Sequence, residues 1–247
     1  MPRSIKVLVA IIVTSLALYL LITKYWRAKE LWNDLTFSLI DTQPSIRTTK
    51  QIDSIFAQFK KIKTKDLGKD YLDYSKSNIP KYAKLIKGAQ YYEIKGEHLF
   101  QKVVGDFRLK EFICTDKYYG VAVTDSEASI IAVFDKRIFY KILELIKALE
   151  AGGHNANGFK IVNGHRHPQN NERIGGAKLS KHIRGEAVDI KIGDINQDGF
   201  ANQEDKTIVL DLLEKQIIKN TGGIGRYPGT LSVHYDVRGY RARWDSY

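Results

Sequence analysis

Hydrophobic and polar residues alternate in two short segments of the C-terminal half of the chain. In AVDIKI, residues 187–192, positions 188, 190 and 192 are apolar, whereas Asp189 and Lys191 are charged. LSVHYDVR, residues 231–238, alternates in the same way, with apolar residues at 231, 233, 235 and 237. Because side chains of a β-strand point alternately to opposite faces, each segment predicts a strand whose polar face carries potential metal ligands.

A helical period precedes these strands. In DKRIFYKILELIKALEAGG, residues 135–153, apolar residues recur at intervals of three and four, and Gly152 and Gly153 are suited to end the helix. The segment GFKIVNG, residues 158–164, predicts a further strand. Helices and strands mixed in this way predict an α+β domain over residues 98–247.

The N-terminal segment has a different pattern. The uninterrupted run VLVAIIVTSLALYLLI, residues 7–22, lies between Arg3 and Lys6 on one side and Lys24 to Arg27 on the other. Residues 1–29 therefore predict a transmembrane anchor, with a cleaved signal segment as the alternative. Tyr25 beside Trp26 favours the anchor, because aromatic residues are enriched at membrane interfaces.

Residues 30–97 predict a basic helical stalk. Ile52, Ile55, Phe56 and Phe59 recur at helical spacing and are followed by the KKIKTK cluster of residues 60–65. Residues 1–97 contain 17 Lys and Arg against 9 Asp and Glu, so most of the net charge of +11 lies here. A basic amphipathic helix beside an anchor is typical of a segment that lies near anionic lipid or an anionic wall polymer.

Composition narrows the class of protein. With 43% hydrophobic residues in 247, the chain can bury a sizeable core, which excludes disorder over its full length. A single cysteine, Cys114, excludes a disulfide scaffold and a multi-cysteine metal site. No nucleic-acid recognition motif accompanies the basic charge, so we expect no nucleic-acid partner.

Three residues on or beside the two predicted strands have the chemistry of a zinc site. A catalytic zinc needs three nitrogen or carboxylate ligands and one open position, which His182, Asp189 and His234 could provide. Spacing alone equally fits an exposed loop histidine, a solvated carboxylate and a cross-strand histidine.

Longer motifs around these residues resemble a known family. Residues 163–189 read NGHRHPQNNERIGGAKLSKHIRGEAVD, and residues 222–244 read GGIGRYPGTLSVHYDVRGYRARW. Three motifs, in the same order, resemble those of the zinc metallopeptidases that cleave D-alanine-containing cell-wall peptides. The resemblance implies the hedgehog-type fold of D-Ala-D-Ala peptidases, with a central antiparallel sheet, and zinc held by His182, Asp189 and His234.

The same resemblance implies roles for neighbouring residues. Arg166 matches an arginine that contacts substrate and supports catalysis. His165 replaces the tyrosine that precedes it in the family and is therefore also expected to contact substrate. Ser180 matches a serine that assists the first metal ligand. Some members carry the general base three residues before the last histidine, where this chain has Leu231, so the predicted base is Asp236, with orientation of a ligand as the alternative.

A second metal site is predicted between the motifs. Residues 194–205, DINQDGFANQED, have the spacing of a calcium loop and resemble a single dockerin loop. The alternative is a solvated acidic turn. The predicted calcium ligands are Asp194, Asn196, Asp198, the carbonyl of Phe200, and Asp205.

Together these features predict a peptidase that binds zinc and calcium and acts on peptidoglycan peptides, as a D,D-carboxypeptidase or an endopeptidase. We expect the N-terminal helix to span the membrane once, with the domain outside the cytoplasm, or the protein to be secreted. The alternatives are a catalytically inactive wall-binding protein and a calcium-dependent interaction module.

Overall fold

The computed structural model describes residues 41–245, together with residues 14–15, 25 and 27–32. Apart from residues 14 and 15, the predicted anchor run of residues 7–22 lies outside the described residues. Among the described residues, no helix combines the length and the apolar character that crossing a membrane requires.

Helices and strands are interspersed along the described chain. Within residues 41–245, the α-helices are α1 (Thr49–Gln58), α2 (Lys69–Ser75), α3 (Pro80–Leu85), α4 (Lys117–Thr124), α5 (Lys136–Ala151), α6 (Pro168–Arg173) and α7 (Gln203–Leu212). The strands are β1 (Lys60–Ile62), β2 (Tyr91–Lys95), β3 (Lys102–Val104), β4 (Phe107–Arg108), β5 (Ser129–Val133), β6 (Phe159–Asn163), β7 (Ala187–Ile192), β8 (Gly223–Gly225), β9 (Ser232–Asp236) and β10 (Ala242–Trp244). Short 3₁₀-helices include Lys181–Arg184, and a π-helical turn, Leu213–Ile217, continues α7.

The strands form one large sheet and two small ones. The large sheet has the order β10-β8-β9-β7-β6 and is antiparallel except where β10 runs parallel to β8. A three-stranded antiparallel sheet has the order β1-β2-β5, and β3 pairs with β4. The central sheet of the predicted α+β domain is therefore antiparallel except at one edge.

The periodicity of the sequence matches the observed core. Helix α5 begins where the Asp135 side chain accepts a hydrogen bond from the Arg137 amide, and it ends before Gly152 as predicted. Its apolar side belongs to the same buried cluster as Val188 of β7 and Tyr235 of β9. Burying these apolar side chains drives the helix against the sheet and fixes which face of each strand turns toward the metal site.

Residues 41–97 do not form a separate stalk. The predicted amphipathic helix exists as α1, but Phe56 packs against Phe139 of α5, with ring centroids 4.8 Å apart. The basic cluster after it forms β1 and a 3₁₀ turn rather than continuing the helix. Strand β2 pairs along its whole length with β5, so the predicted boundary at residue 97 crosses a sheet. Periodicity detects an apolar face but not its partner, which explains this error.

The small sheet supports the turn before β7. At Gly185, φ is +62°, and a Cβ atom there would lie 2.1 Å from the carbonyl oxygen of Val133 in β5. Only glycine permits both this left-handed backbone and this approach. The neighbouring Ile183 is buried with Leu67 and Tyr91 in a second apolar cluster.

An ion-pair cluster connects the region before β2 to α6, and it gives a testable pH dependence. Lys81 and Lys76 donate to the Glu172 carboxylate at 2.8 and 3.3 Å, and the Tyr82 hydroxyl donates at 2.6 Å. Hydrogen bonds from Lys81, Tyr82 and Lys76 lower the pKa of Glu172 from 4.5 to about 2. A carboxyl group with a depressed pKa in the folded state stabilises the fold above its unfolded pKa, and this contribution disappears as the pH falls through the folded value.

Glu172→Gln is therefore expected to lower the free energy of unfolding at pH 7. The difference from wild type should shrink below about pH 4.5 and disappear near pH 2, the two pKa values that bound the effect. Urea unfolding at several pH values measures it. Glu144→Gln is the control, because Glu144 pairs with Lys141 within α5. A difference that grows on acidification would contradict the prediction.

Candidate metal centre

Two strands and one turn bring the predicted zinc ligands together. Strands β7 and β9 pair in a register that places Asp189 directly opposite His234. His182 lies in the 3₁₀-helix before β7, whose end at Gly185 is fixed against β5. The three side chains form a group whose potential ligand atoms all lie within 4.8 Å of one another.

The ligand atoms form a tight triangle. Asp189 Oδ1 lies 2.8 Å from His234 Nδ1 and 3.2 Å from His182 Nε2, and the two nitrogens are 3.1 Å apart. Two ligands of a tetrahedral zinc with bonds of about 2.0–2.1 Å are separated by about 3.3 Å. The observed separations are close to this value.

The other nitrogen of each imidazole fixes its tautomer. His182 Nδ1 donates to the carbonyl oxygen of Gly164 at 2.7 Å, and His234 Nε2 donates to Asp236 Oδ2 at 3.2 Å. Nitrogens that face the triangle therefore bear lone pairs when both rings are neutral. Two lone pairs and a carboxylate oxygen at such short separations repel unless a proton or a cation lies among them, so the donor set fits a zinc ion.

Electrostatics within the group follow from the same contacts. Burial opposes ionisation of Asp189, but hydrogen bonds and charge interactions with His182 and His234 lower its pKa well below the usual range. Burial lowers the pKa of His182. For His234, burial is outweighed by Asp189 and Asp236, so its pKa is raised. A metal ion that binds here must displace any proton held by His234.

The position of Asp236 corrects its assignment as general base. Its side chain is fully buried and lies at His234 Nε2, on the side of the ring opposite the triangle. Arg238 donates to both carboxylate oxygens through Nε and Nη2, and the Gly223 amide donates to Oδ1 at 3.0 Å. A carboxylate with these partners orients the imidazole and is not available to a water molecule at the metal.

Arg166 lies beside the triangle as a buried cation. Its backbone amide donates to the His182 carbonyl at 3.2 Å, and only 9% of the residue is exposed. Among the described residues, Arg166 Nε has no hydrogen-bond partner. Burial lowers the pKa of Arg166, whereas the charge of nearby Asp189 raises it. A buried guanidinium with an unused donor has capacity for an incoming carbonyl or carboxylate.

The two remaining predicted residues are His165 and Ser180, and neither contacts the ligand triangle through a hydrogen bond that the structure shows. His165 is buried, its ring lies near Phe134, and burial lowers its pKa to about 3, so the side chain is neutral. Ser180 begins the 3₁₀-helix, and its hydroxyl makes no capping hydrogen bond. The Gly164 carbonyl, rather than Ser180, orients His182. Sequence reasoning missed Asn163 as well, whose amide donates to Asp189 Oδ2 at 3.3 Å.

The calcium prediction is not supported. The carboxylate of Asp205 is fully buried, and its oxygens accept hydrogen bonds from the backbone amides of Ile195, Asn196 and Asn202. Asp194 accepts from the amides of residues 198 and 199, and Asp198 from that of residue 200. The acidic side chains of this loop therefore hold its backbone, and they form no metal-binding group among the described residues.

A second cluster of ligand types, Cys114, Asp116 and His167, was not predicted. The Asn170 amide donates to His167 Nδ1, so Nε2 carries the proton and donates to Asp116 Oδ2 at 3.1 Å. Asp116 Oδ1 accepts from the amide of Tyr119. Burial raises the pKa of Cys114 to about 12, which keeps its thiol protonated. The cluster joins the caps of α4 and α6, and its tautomer offers no lone pair to a metal.

Comparison with known proteins assigns the chain to a family. Residues 106–236, more than half of the chain, match the model of the family Peptidase M15. The chain therefore belongs to the M15 family of zinc D-Ala-D-Ala metallopeptidases, as its motifs indicated. The His182, Asp189 and His234 group lies entirely within the matched residues. Neither the curated proteins nor the solved structures contain a match.

Proposed function

We propose that the protein is a zinc peptidase that hydrolyses D-amino-acid-containing peptide bonds of peptidoglycan, as a D,D-carboxypeptidase or an endopeptidase. The observation that carries the proposal is the triangle of His182 Nε2, Asp189 Oδ1 and His234 Nδ1 within the M15 segment. A zinc ion held by these atoms supplies Lewis-acid chemistry, lowering the pKa of water and polarising the scissile carbonyl.

The surrounding residues prepare the site for amide hydrolysis. Gly164 and Asp236 hold the two imidazoles in the tautomers that face the triangle, and Asn163 holds Asp189. Arg166 supplies a fixed positive charge near the reacting carbonyl, where negative charge develops on oxygen during attack. Such charge stabilisation in a buried site is stronger than in water, because little solvent screens it.

The location of the substrate determines where the domain must work. Peptidoglycan lies outside the cytoplasmic membrane, so the proposal requires export, either as a single-pass protein anchored by residues 7–22 or in secreted form. A C-terminal fusion to a reporter that is active only outside the cytoplasm tests this. Activity of a cytoplasmic reporter in the same position would contradict export.

A catalytically inactive wall-binding protein is the second candidate function. It is favoured by the placement of Asp236 behind His234, together with Leu231 at the position where some family members carry an acid. Such a protein would retain zinc and bind muropeptides without cleaving them.

The deciding experiment measures zinc content and muropeptide cleavage by the full chain. One zinc per chain together with cleavage of a stem or cross-link is the result expected from the proposed function. Zinc without cleavage would favour the binding protein, and a chain that binds no zinc would contradict both.

Arg166→Lys is expected to lower kcat/KM by about 100-fold while zinc content stays at the wild-type value. Lysine keeps a positive charge but loses the planar donor geometry that a carbonyl or carboxylate accepts, and single donors of this kind are worth about 10²–10³ in rate. Steady-state kinetics on a defined muropeptide measure the effect. Arg173→Lys, on α6 outside the metal group, serves as the control. Equal losses in both variants would contradict a role for Arg166 at the substrate.

A further inference from the structure

A buried lysine follows the acidic loop. Lys206, in the first turn of α7, is only 3% exposed, although lysine is rarely buried in proteins. Its Nζ donates to the carbonyl oxygens of Tyr227 at 2.9 Å and Thr230 at 2.6 Å. Burial lowers the pKa of Lys206. Moving an ammonium group out of water is costly, so its burial here is expected to serve a structural or functional role.

The two carbonyls belong to one tight turn. Tyr227 has φ of +40°, an unfavourable left-handed conformation for a residue with a side chain. Both the amide and the hydroxyl of Thr230 donate to the Tyr227 carbonyl, at 3.2 and 2.9 Å. Backbone strain of this kind costs about 1–3 kcal/mol and persists only where the surroundings fix it. Lys206 contacts both ends of the turn and is therefore part of what fixes it.

The acidic loop explains how Lys206 is directed inward. Asp205 accepts hydrogen bonds from Ile195, Asn196 and Asn202, which closes residues 194–205 onto the start of α7. The first turn of the helix is consequently held against the Tyr227–Thr230 turn, to which Gln203 Nε2 also donates at 3.3 Å. The loop that resembles a calcium site thus has a structural use without a metal ion.

The turn places the Tyr227 phenol within range of the charges at the metal centre. Tyr227 lies two residues beyond Gly225, which pairs with His234 in the sheet. Its side chain is half-buried, and the charges of both Asp189 and Arg166 act on its hydroxyl. Burial and Asp189 raise the pKa of Tyr227, so the hydroxyl remains a hydrogen-bond donor at neutral pH.

We propose that Lys206 is a positioning residue of the peptidase: it fixes the Tyr227–Thr230 turn so that the Tyr227 hydroxyl donates a hydrogen bond to the carbonyl oxygen of the scissile amide. This inference rests on the proposed function. Tyr227 would then share with Arg166 the stabilisation of the negative charge that develops on that oxygen. Lys206 contacts no substrate and acts through the turn.

The test is a double-mutant cycle on the full-length, zinc-loaded protein with a defined muropeptide. Lys206→Met and Tyr227→Phe are each expected to lower kcat by about 10- to 100-fold, with KM and zinc content little changed. The reason is that a displaced or missing donor weakens stabilisation of the transition state more than binding of the substrate. If Lys206 acts through Tyr227, the double variant loses no more than Tyr227→Phe alone. Losses that multiply, or a Lys206→Met protein with wild-type kcat, would overturn the proposal.

Two further measurements separate positioning from general stability. In metal-free protein, hydrogen exchange of the Thr230 amide should accelerate in Lys206→Met but not in Tyr227→Phe. Lys215→Met, which removes an exposed ammonium that pairs with Asp211, should change neither kcat nor exchange. If Lys206→Met does not fold, Lys206→Gln replaces it, because the glutamine amide keeps N–H donors but removes the charge. Wild-type protein without turnover would overturn the proposed function as well, whereas turnover that Lys206→Met leaves intact would overturn only this inference.

Discussion

His234→Ala is expected to abolish cleavage and to leave the protein without bound zinc after dialysis. Its Nδ1 is one of three atoms in the ligand triangle, and two remaining ligands do not hold zinc in the usual three-ligand catalytic arrangement. The fall in zinc affinity should exceed the roughly 10- to 100-fold cost of losing an outer partner of a ligand. Zinc titration against a competing chelator measures this affinity.

The matched control for this experiment is His154→Ala. His154 follows α5 and lies outside the metal group, so its replacement should leave zinc affinity and cleavage unchanged. Retention of one tightly bound zinc in His234→Ala would mean that the triangle is not the metal site.

Asp236→Ala should lower both stability and zinc affinity, because the carboxylate orients a ligand and neutralises a partly buried arginine. Removing one member of a buried ion pair leaves its partner uncompensated, which costs about 3–5 kcal/mol. Arg238 and His234 both lose their partner in this variant. Urea unfolding of the metal-free protein measures the stability, and chelator competition should show zinc affinity lower by about 10- to 100-fold.

A general base would behave differently. Loss of a base lowers kcat while stability and zinc affinity remain at wild-type values. Asp245→Asn is the comparison for stability, because Asp245 forms a surface ion pair with Arg226 whose loss should cost no more than about 1 kcal/mol. An Asp236→Ala protein that keeps wild-type stability and zinc affinity but loses kcat would restore the assignment of Asp236 as base.

Local patterns in the sequence predicted the strands that carry the ligands. Alternation placed Asp189 on the face opposite Val188 and Ile190, and the structure buries those two apolar residues in the core. Alternation along one strand does not determine how that strand is aligned with its neighbour. A shift of one residue in the pairing of β7 with β9 would separate Asp189 from His234. The motif around the residues supplied that information.

Side-chain geometry explains the error at Asp236. Two residues along a strand leave from the same face, which correctly predicts that Asp236 lies near His234. Which imidazole nitrogen it meets depends on ring orientation, and here it meets Nε2 because Arg238 and the Gly223 amide hold the carboxylate on that side. Tyr227 lies in the segment GGIGRYPG, residues 222–229, so the resemblance to the family already pointed to its neighbourhood. Lys206 carried no such signal, because its burial depends on contacts distant in sequence.

The close approach at Gly185 makes the metal site depend on parts of the chain outside the family match. The metal-ligand turn rests on β5, and β5 is held by β2, which lies before the residues 106–236 that match the family. On the other side, β10 pairs with β8 and places the Trp244 ring 5.2 Å from His234, also outside the match. The structural unit that holds the metal ligands in place is therefore larger than the region that matches the family. A recombination event or a graft that carried only the matched residues would transfer the ligands without the surfaces that hold them in place.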